Sequence, residues 1–233
     1  MKIALLGYGK MGKTIEQVAL KRGHEIVIKT NDEDGYDLNL ADVAIDFSVP
    51  KAAFFNIAKC IKLGVPVISG TTGWLDSYES VVKLCQENKG AFIYASNYSL
   101  GVNIFFELNK SLAKMMSNLG QYNVSMEEVH HTEKLDAPSG TAISLAEGII
   151  NLHQKYDKWF LNEVQEKVVP ITAKRIDKVP GTHEITYTSE ADSITITHTA
   201  HNREGFALGA IIAAEWILGK TGIFTMKDVL NIG

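Results

Sequence analysis

From Lys2 to about Ser96, short runs of aliphatic and β-branched residues alternate with segments whose apolar positions recur at helical spacing. The runs are Ile3-Ala4-Leu5-Leu6, Ile26-Val27-Ile28, Val43-Ala44-Ile45-Asp46-Phe47, Val65-Pro66-Val67-Ile68 and Ala91-Phe92-Ile93-Tyr94. Between them, Met11 to Arg22, Lys51 to Leu63 and Asp76 to Asn88 carry the helical pattern. Strands that are apolar along their whole length need cover on both faces, and helical crossovers supply it. The pattern predicts an α/β unit with a doubly wound parallel sheet.

The pattern changes after Asn97. A helical stretch from about Val102 to Asn118 leads to a predicted strand from Tyr122 to His131, a loop, and a helix from about Thr141 to Tyr156. From Val168 onward Thr, Val, Ile and Tyr dominate, and Gly181 to Ser189 with Ser193 to Ala200 read as an antiparallel pair turning near Glu190-Ala191-Asp192. Strands without intervening helices predict a second, α+β domain. The apolar helix at Phe206 to Leu218 and the tail Phe224 to Ile232 fit either domain.

Composition narrows the choice. At 233 residues and 45% hydrophobic content, the chain can fill the core of one large domain or of two modest ones. A net charge of -4 gives no reason to approach nucleic acid or an anionic membrane. Cys60 and Cys85, far apart in amphipathic stretches, read as packing residues rather than a disulfide scaffold or zinc site. Met1-Lys2 runs straight into an apolar strand without the pattern of a secretory leader, and the apolar run at Phe206 to Leu218 is too short to span a bilayer and carries Glu215. The expected compartment is the cytoplasm.

Gly7-Tyr8-Gly9-Lys10-Met11-Gly12 fits G-x-G-x-x-G between the first strand and the first helix. There the glycines permit a tight turn, close approach of a pyrophosphate and close helix-strand packing, and the helix N-terminus offers N–H groups to the anion. A Rossmann-type dinucleotide site is expected. Gly70-Thr71-Thr72-Gly73 and Ala95-Ser96-Asn97-Tyr98 follow the fourth and fifth strands, where open α/β sheets bind ligands. Lys29-Thr30-Asn31-Asp32 ends the second strand with both a base and an acid, which leaves the choice between NADH and NADPH open.

The second domain holds Glu127-Glu128-Val129-His130-His131-Thr132-Glu133-Lys134-Leu135-Asp136-Ala137-Pro138-Ser139-Gly140-Thr141-Ala142. Ser139-Gly140-Thr141 suits a helix start with free N–H groups for a carboxylate. Lys134 adds charge, and a histidine is readily tuned to give up a proton near neutrality. His130 and His131 can share a pocket only if the strand ends between them. No third metal ligand follows at helical or turn spacing, so no metal is expected.

Glu128-Val129-His130-His131, Lys134 and Asp136 to Ala142 resemble the signature E-x-H-H-x-x-K-x-D-A-P-S-G-T-A of the 4-hydroxy-tetrahydrodipicolinate reductase (dihydrodipicolinate reductase) family. The glycine loop, Asp46-Phe47-Ser48, Gly70 to Gly73, Asn97 to Asn103, Gly181-Thr182-His183 and His198-Thr199-Ala200 through Arg203 have counterparts in the same order. The resemblance implies reduction of a cyclic imine dicarboxylate with NADH or NADPH in lysine and diaminopimelate biosynthesis, by a homotetramer. It implies a dinucleotide-binding domain over 1–98 and 204–233, and a substrate-binding and oligomerisation domain over 99–203. It casts His130 as proton donor and Lys134 as its catalytic partner, with His131, Ser139, Gly140 and Thr141 holding substrate. Gly7 to Gly12, Gly70, Thr71, Thr72 and Ala95 to Tyr98 would contact the cofactor, and Arg203 would bind a carboxylate or brace a hinge. Two departures stand out: the first glycine loop is shorter than in many members, and about Lys155 to Pro180 lacks the family's Arg/Gly-rich stretch. The competing classes are another nicotinamide-dependent amino-acid or semialdehyde dehydrogenase and a non-catalytic nucleotide sensor.

Overall fold

The computed structural model describes residues 1–31 and 35–232. Two compact units divide the chain, Met1–Asn103 with Arg203–Gly233, and Ile104–Asn202. The boundary falls inside a helix, a few residues beyond the Asn97 region where the sequence pattern changes.

In the first unit, six parallel strands lie in the order β11-β5-β4-β3-β1-β2. They are β1 (Lys2–Leu6), β2 (Glu25–Thr30), β3 (Val43–Asp46), β4 (Val67–Ser69), β5 (Ala91–Tyr94) and β11 (Gly222–Phe224). Helices α1 (Lys10–Lys21) and α6 (Glu204–Ile217) cover one face, where Ile15, Val18, Ala19, Ala207, Ala210 and Ile211 join Ile3, Leu5 and Ile45. Helices α2 (Pro50–Lys62) and α3 (Tyr78–Glu87) cover the other, with Ile57, Ile61, Val81 and Cys85 against Ala4, Leu6 and Phe92. This is the doubly wound sheet that the apolar runs predict. Burying each such aliphatic side chain stabilises the unit by about 1.5–3 kcal/mol. Both cysteines are buried and free. The tail contributes β11 and the short helix α7 (Met226–Leu230), started by a reciprocal cap between Thr225 and Asp228.

The second unit contains most of α4 (Leu100–Met116), then β6 (Asn123–His130), α5 (Gly140–Ile150), β7 (Lys158–Leu161), β8 (Val168–Arg175), β9 (Gly181–Thr188) and β10 (Ser193–Ala200). Its sheet runs β10-β9-β6-β8-β7, antiparallel across β10, β9 and β6 and parallel across β6, β8 and β7. Phe105, Leu112, Ala113 and Met116 of α4 and Ala142, Leu145, Ala146 and Ile149 of α5 pack on one face. The predicted helix from Thr141 to Tyr156 stops at Ile150: a turn carries His153, and Tyr156 leaves the helix so that its hydroxyl accepts the Val124 N–H at 2.9 Å. No helix among the described residues is long and apolar enough to cross a membrane.

Candidate active site

Glu128 and His130 lie on the buried face of β6, two and four residues beyond Met126 on the same alternation. The neighbouring strand β9 buries Tyr187, Ile185 and His183 in the same rhythm, and its register pairs Val124 with Tyr187, Met126 with Ile185 and Glu128 with His183. One sheet face therefore passes from apolar pairs to a carboxylate opposite an imidazole.

Glu128 is fully buried and ionised. Its Oε2 accepts the Ser139 N–H at 3.0 Å, and its Oε1 accepts from the Arg175 guanidinium at 3.1 Å. Burial alone raises the carboxyl, but hydrogen bonds from His130, Ser139 and Arg175 outweigh it and bring the pKa down to about 2. His130 Nε2 lies 3.4 Å from His183 Nε2 and 3.5 Å from Glu128 Oε2, while its Nδ1 faces the Pro180 carbonyl at 3.3 Å. Burial first, then the neighbouring His130, pushes His183 down to about 4, which favours its neutral form. Gly181 makes room for the first imidazole: a Cβ there would lie 2.9 Å from His130 Cε1.

β6 ends at His130, so His131 is free to leave the strand alternation. It is half-buried, and its Nδ1 is buried with no protein partner. Lys134 follows in the loop, its ammonium donating to Asp136 at 2.8 Å, which lowers the Asp136 carboxyl. Ser139 caps α5 by accepting the Ala142 N–H at 3.2 Å, and its hydroxyl lies 3.2 Å from His183 Nε2. With only 2% exposure, its side chain faces the protein. In this structure the Ser139 hydroxyl caps α5 and contacts His183, and its N–H donates to Glu128. Gly140 is open, with nothing within 4 Å of a built Cβ, and it and Thr141 occupy the first turn, where N–H groups have no intrahelical acceptor.

Sequence reasoning left two contributors without a role. His183 comes from a strand far along the chain, and Arg175 comes from the very segment that lacks the Arg/Gly-rich stretch. Arg175 also donates to the carbonyls of Lys134 and Asp136, so it braces the backbone of the loop between β6 and α5. Arg203 is exposed, at the N-terminal boundary of α6.

In the first unit, Gly7 adopts φ +99°, and a Cβ there would sit 2.1 Å from the Phe47 carbonyl. A Cβ on Gly12 would lie 2.3 Å from the Gly7 carbonyl, whereas one on Gly9 would meet nothing within 4 Å. Two glycines thus serve packing and the third leaves space before an α1 N-terminus that has no acidic first-turn residue. These features fit a pyrophosphate. Lys10 is exposed and Met11 packs on the core, so Met11 offers its backbone rather than its side chain. Tyr8 hydrogen-bonds Glu16, which also accepts from Lys29 at 2.9 Å. The Tyr8 N–H donates to Asn31 Oδ1 at 2.7 Å, and Asp32, the acid weighed for cofactor choice, lies outside the described residues.

Beneath the neighbouring loops, buried Asp46 accepts from Ser48, Asn56, Ser69 and Thr71. Thr71 is therefore a buried brace, while Thr72 is exposed. A Cβ on Gly70 would lie 2.3 Å from the Phe47 ring. Ala95 is half-buried and Ser96 exposed, and Asn97 accepts the Ser99 N–H at 2.9 Å ahead of α4. Tyr98 is 1% exposed and donates to the Ser69 carbonyl at 3.0 Å. The phenol belongs to the core.

A family profile described as "Dihydrodipicolinate reductase, C-terminus" matches residues 101–230, and one described as "Dihydrodipicolinate reductase, N-terminus" matches residues 29–98. The chain belongs to the dihydrodipicolinate reductase family. Across 99% of this chain and 98% of its own length, a relative from Christiangramia forsetii named 4-hydroxy-tetrahydrodipicolinate reductase is 58% identical. One of the same name from Neisseria gonorrhoeae is 31% identical over 93% of this chain and 84% of its own. The fold is shared with a dipicolinate-bound dihydrodipicolinate reductase from Paenisporosarcina sp. TG-14, at TM-score 0.80, 22% identity and 97% of each chain. Aspartate semialdehyde dehydrogenase II from Vibrio cholerae shares the architecture more loosely, at TM-score 0.53 and 10% identity over 92% of this chain and 97% of its own.

Proposed function

We propose that the chain reduces 4-hydroxy-tetrahydrodipicolinate to tetrahydrodipicolinate with loss of water, using NADH or NADPH. The observation that carries the reading is the buried Glu128–His130–His183 cluster at the start of α5, with Lys134 in the loop between them. Together with the names of the family relatives, it supports a proton-coupled reduction of a dicarboxylate.

The reduced nicotinamide supplies a hydride. The residues of this chain do the rest. Gly140 and Thr141 N–H groups receive a substrate carboxylate at the α5 N-terminus, and the Lys134 ammonium adds charge. The unpartnered His131 Nδ1 offers a further polar contact. His130 holds the proton: its Nδ1 faces a carbonyl, its Nε2 faces a carboxylate, and neighbouring His183 stays neutral. Fixed positive charge at Lys134 steadies electron density that builds as hydride arrives. Gly7, Gly9 and Gly12 accommodate the cofactor phosphates, with the backbones of Tyr8, Lys10 and Met11 lining the same turn. Gly70, Thr71, Thr72 and Ala95 to Asn97 shape the loops that receive the rest. A homotetramer is part of the same reading and is checked by light scattering of the purified chain.

The test is NADH and NADPH oxidation with freshly generated 4-hydroxy-tetrahydrodipicolinate. Wild type is expected to turn over, and His130→Ala and Lys134→Ala to lose ~100-fold or more, the scale of a positioned acid. Full activity in both variants refutes the mechanism, and no substrate-dependent oxidation by wild type refutes the function.

A further inference from the structure

We infer that Glu128, His130 and His183 also form a site for a borderline divalent metal ion of the zinc class. The three facing atoms make a nearly equilateral triangle: 3.4 Å between the two Nε2 atoms, and 3.5 and 3.7 Å from these to Glu128 Oε2. A four-coordinate zinc ion about 2.1 Å from each ligand holds them roughly 3.4 Å apart. The ring centroids stand 5.1 Å apart, wider than the Nε2 atoms, so the two imidazoles face each other with their Nε2 edges.

The surroundings match what such ligands require. His130 directs its other nitrogen at the Pro180 carbonyl, the outer contact that fixes a metal-binding tautomer. Glu128 turns Oε2 to the two imidazoles, and Arg175 holds the other oxygen, Oε1. Two histidines and a glutamate are a known three-ligand zinc set that keeps one position open, and the Ser139 hydroxyl, 3.2 Å from His183 Nε2, lies beside it. Arg175 and Lys134 add positive charge nearby, which favours a modest affinity over a permanent structural metal. An occupying cation takes the Nε2 of His130, so metal binding and the proposed proton transfer exclude one another.

The experiment uses the purified full chain, Zn2+ in equilibrium dialysis and Co2+ as an optical probe. One ion per chain is expected, with the intense visible absorption of four-coordinate Co2+, displaced by one equivalent of Zn2+. His183→Gln should lose this ion, and His201→Gln, at an exposed surface position, should keep it. In the reductase assay, saturating Zn2+ should slow wild type ~10-fold or more, reversed by a chelator, as expected when the proton carrier is occupied. A weak, hydrated-type Co2+ spectrum in wild type overturns the inference, as does equal zinc stoichiometry in wild type and His183→Gln. Full turnover of the zinc-loaded chain overturns the exclusion. Metal binding without turnover on metal-free protein sinks only the proposed function, and turnover without metal binding sinks only the site.

Discussion

Among the described residues, each unit buries one carboxylate, and the two are solved in opposite ways. Asp46 is surrounded by neutral donors, with Ser48, Asn56, Ser69 and Thr71 at 2.6 to 2.9 Å, and burial raises its pKa despite them. Glu128 has a guanidinium, an imidazole and a backbone N–H, and its pKa falls to about 2. The first arrangement ties the loops after β3 and β4 together through neutral donors. The second maintains a charge beside two imidazoles. The charge of the donors, rather than the depth of burial, separates the two directions.

The sharpest way to break the contrast is Glu128→Gln, which strands Arg175 beside a neutral side chain. Removing one partner of a buried ion pair costs about 3–5 kcal/mol, to be read from urea denaturation. Asp46→Asn leaves no orphaned cation and should cost about 1–3 kcal/mol, with its kinetic effect mainly on the KM for cofactor. Equal losses in the two variants would erase the distinction. Next in size, Gly181→Ala pushes a Cβ against the His130 ring and is expected to cost about 1–2 kcal/mol and slow turnover ~10-fold. Gly9→Ala, facing open space, should leave the melting temperature nearly unchanged and raise the KM for cofactor.

Acid titration distinguishes the carboxylates by sign. Glu128 titrates below its ordinary value of 4.5, so its stabilisation is present above that pH and is lost as pH falls towards 2. Asp46 titrates above its ordinary 3.8, so its contribution is greatest below that pH and is lost as pH rises through the raised value. The stability gap between wild type and Glu128→Gln should narrow in acid, while the gap to Asp46→Asn widens. As the smallest effect, Lys21→Ala removes an exposed 3.9 Å pair with Glu204 and should change stability by under ~0.5 kcal/mol.

Much of this was legible along the chain. Apolar runs between helical patterns specify the first sheet, because two covered faces leave no polar alternation. The Gly7 to Gly12 spacing and the segment from Glu128 to Ala142 carry local chemistry, and local chemistry survives in sequence. The alternation along β6 also places Glu128 and His130 on the face shared with Val124 and Met126. Less legible was the end of α5, where Tyr156 gives up helix geometry for a hydrogen bond to another strand.

The sequence by itself determined the two textures of the chain, the glycine turn, the helix start at Ser139 and the presence of histidine and lysine in one loop, since each depends on residues within a few positions. Tertiary structure alone decided that His183 faces Glu128, that Arg175 fixes its charge, and that Ser139 and Tyr98 turn inward. Those outcomes follow from strand register and core packing, which join residues distant along the chain and so leave no periodic trace in it.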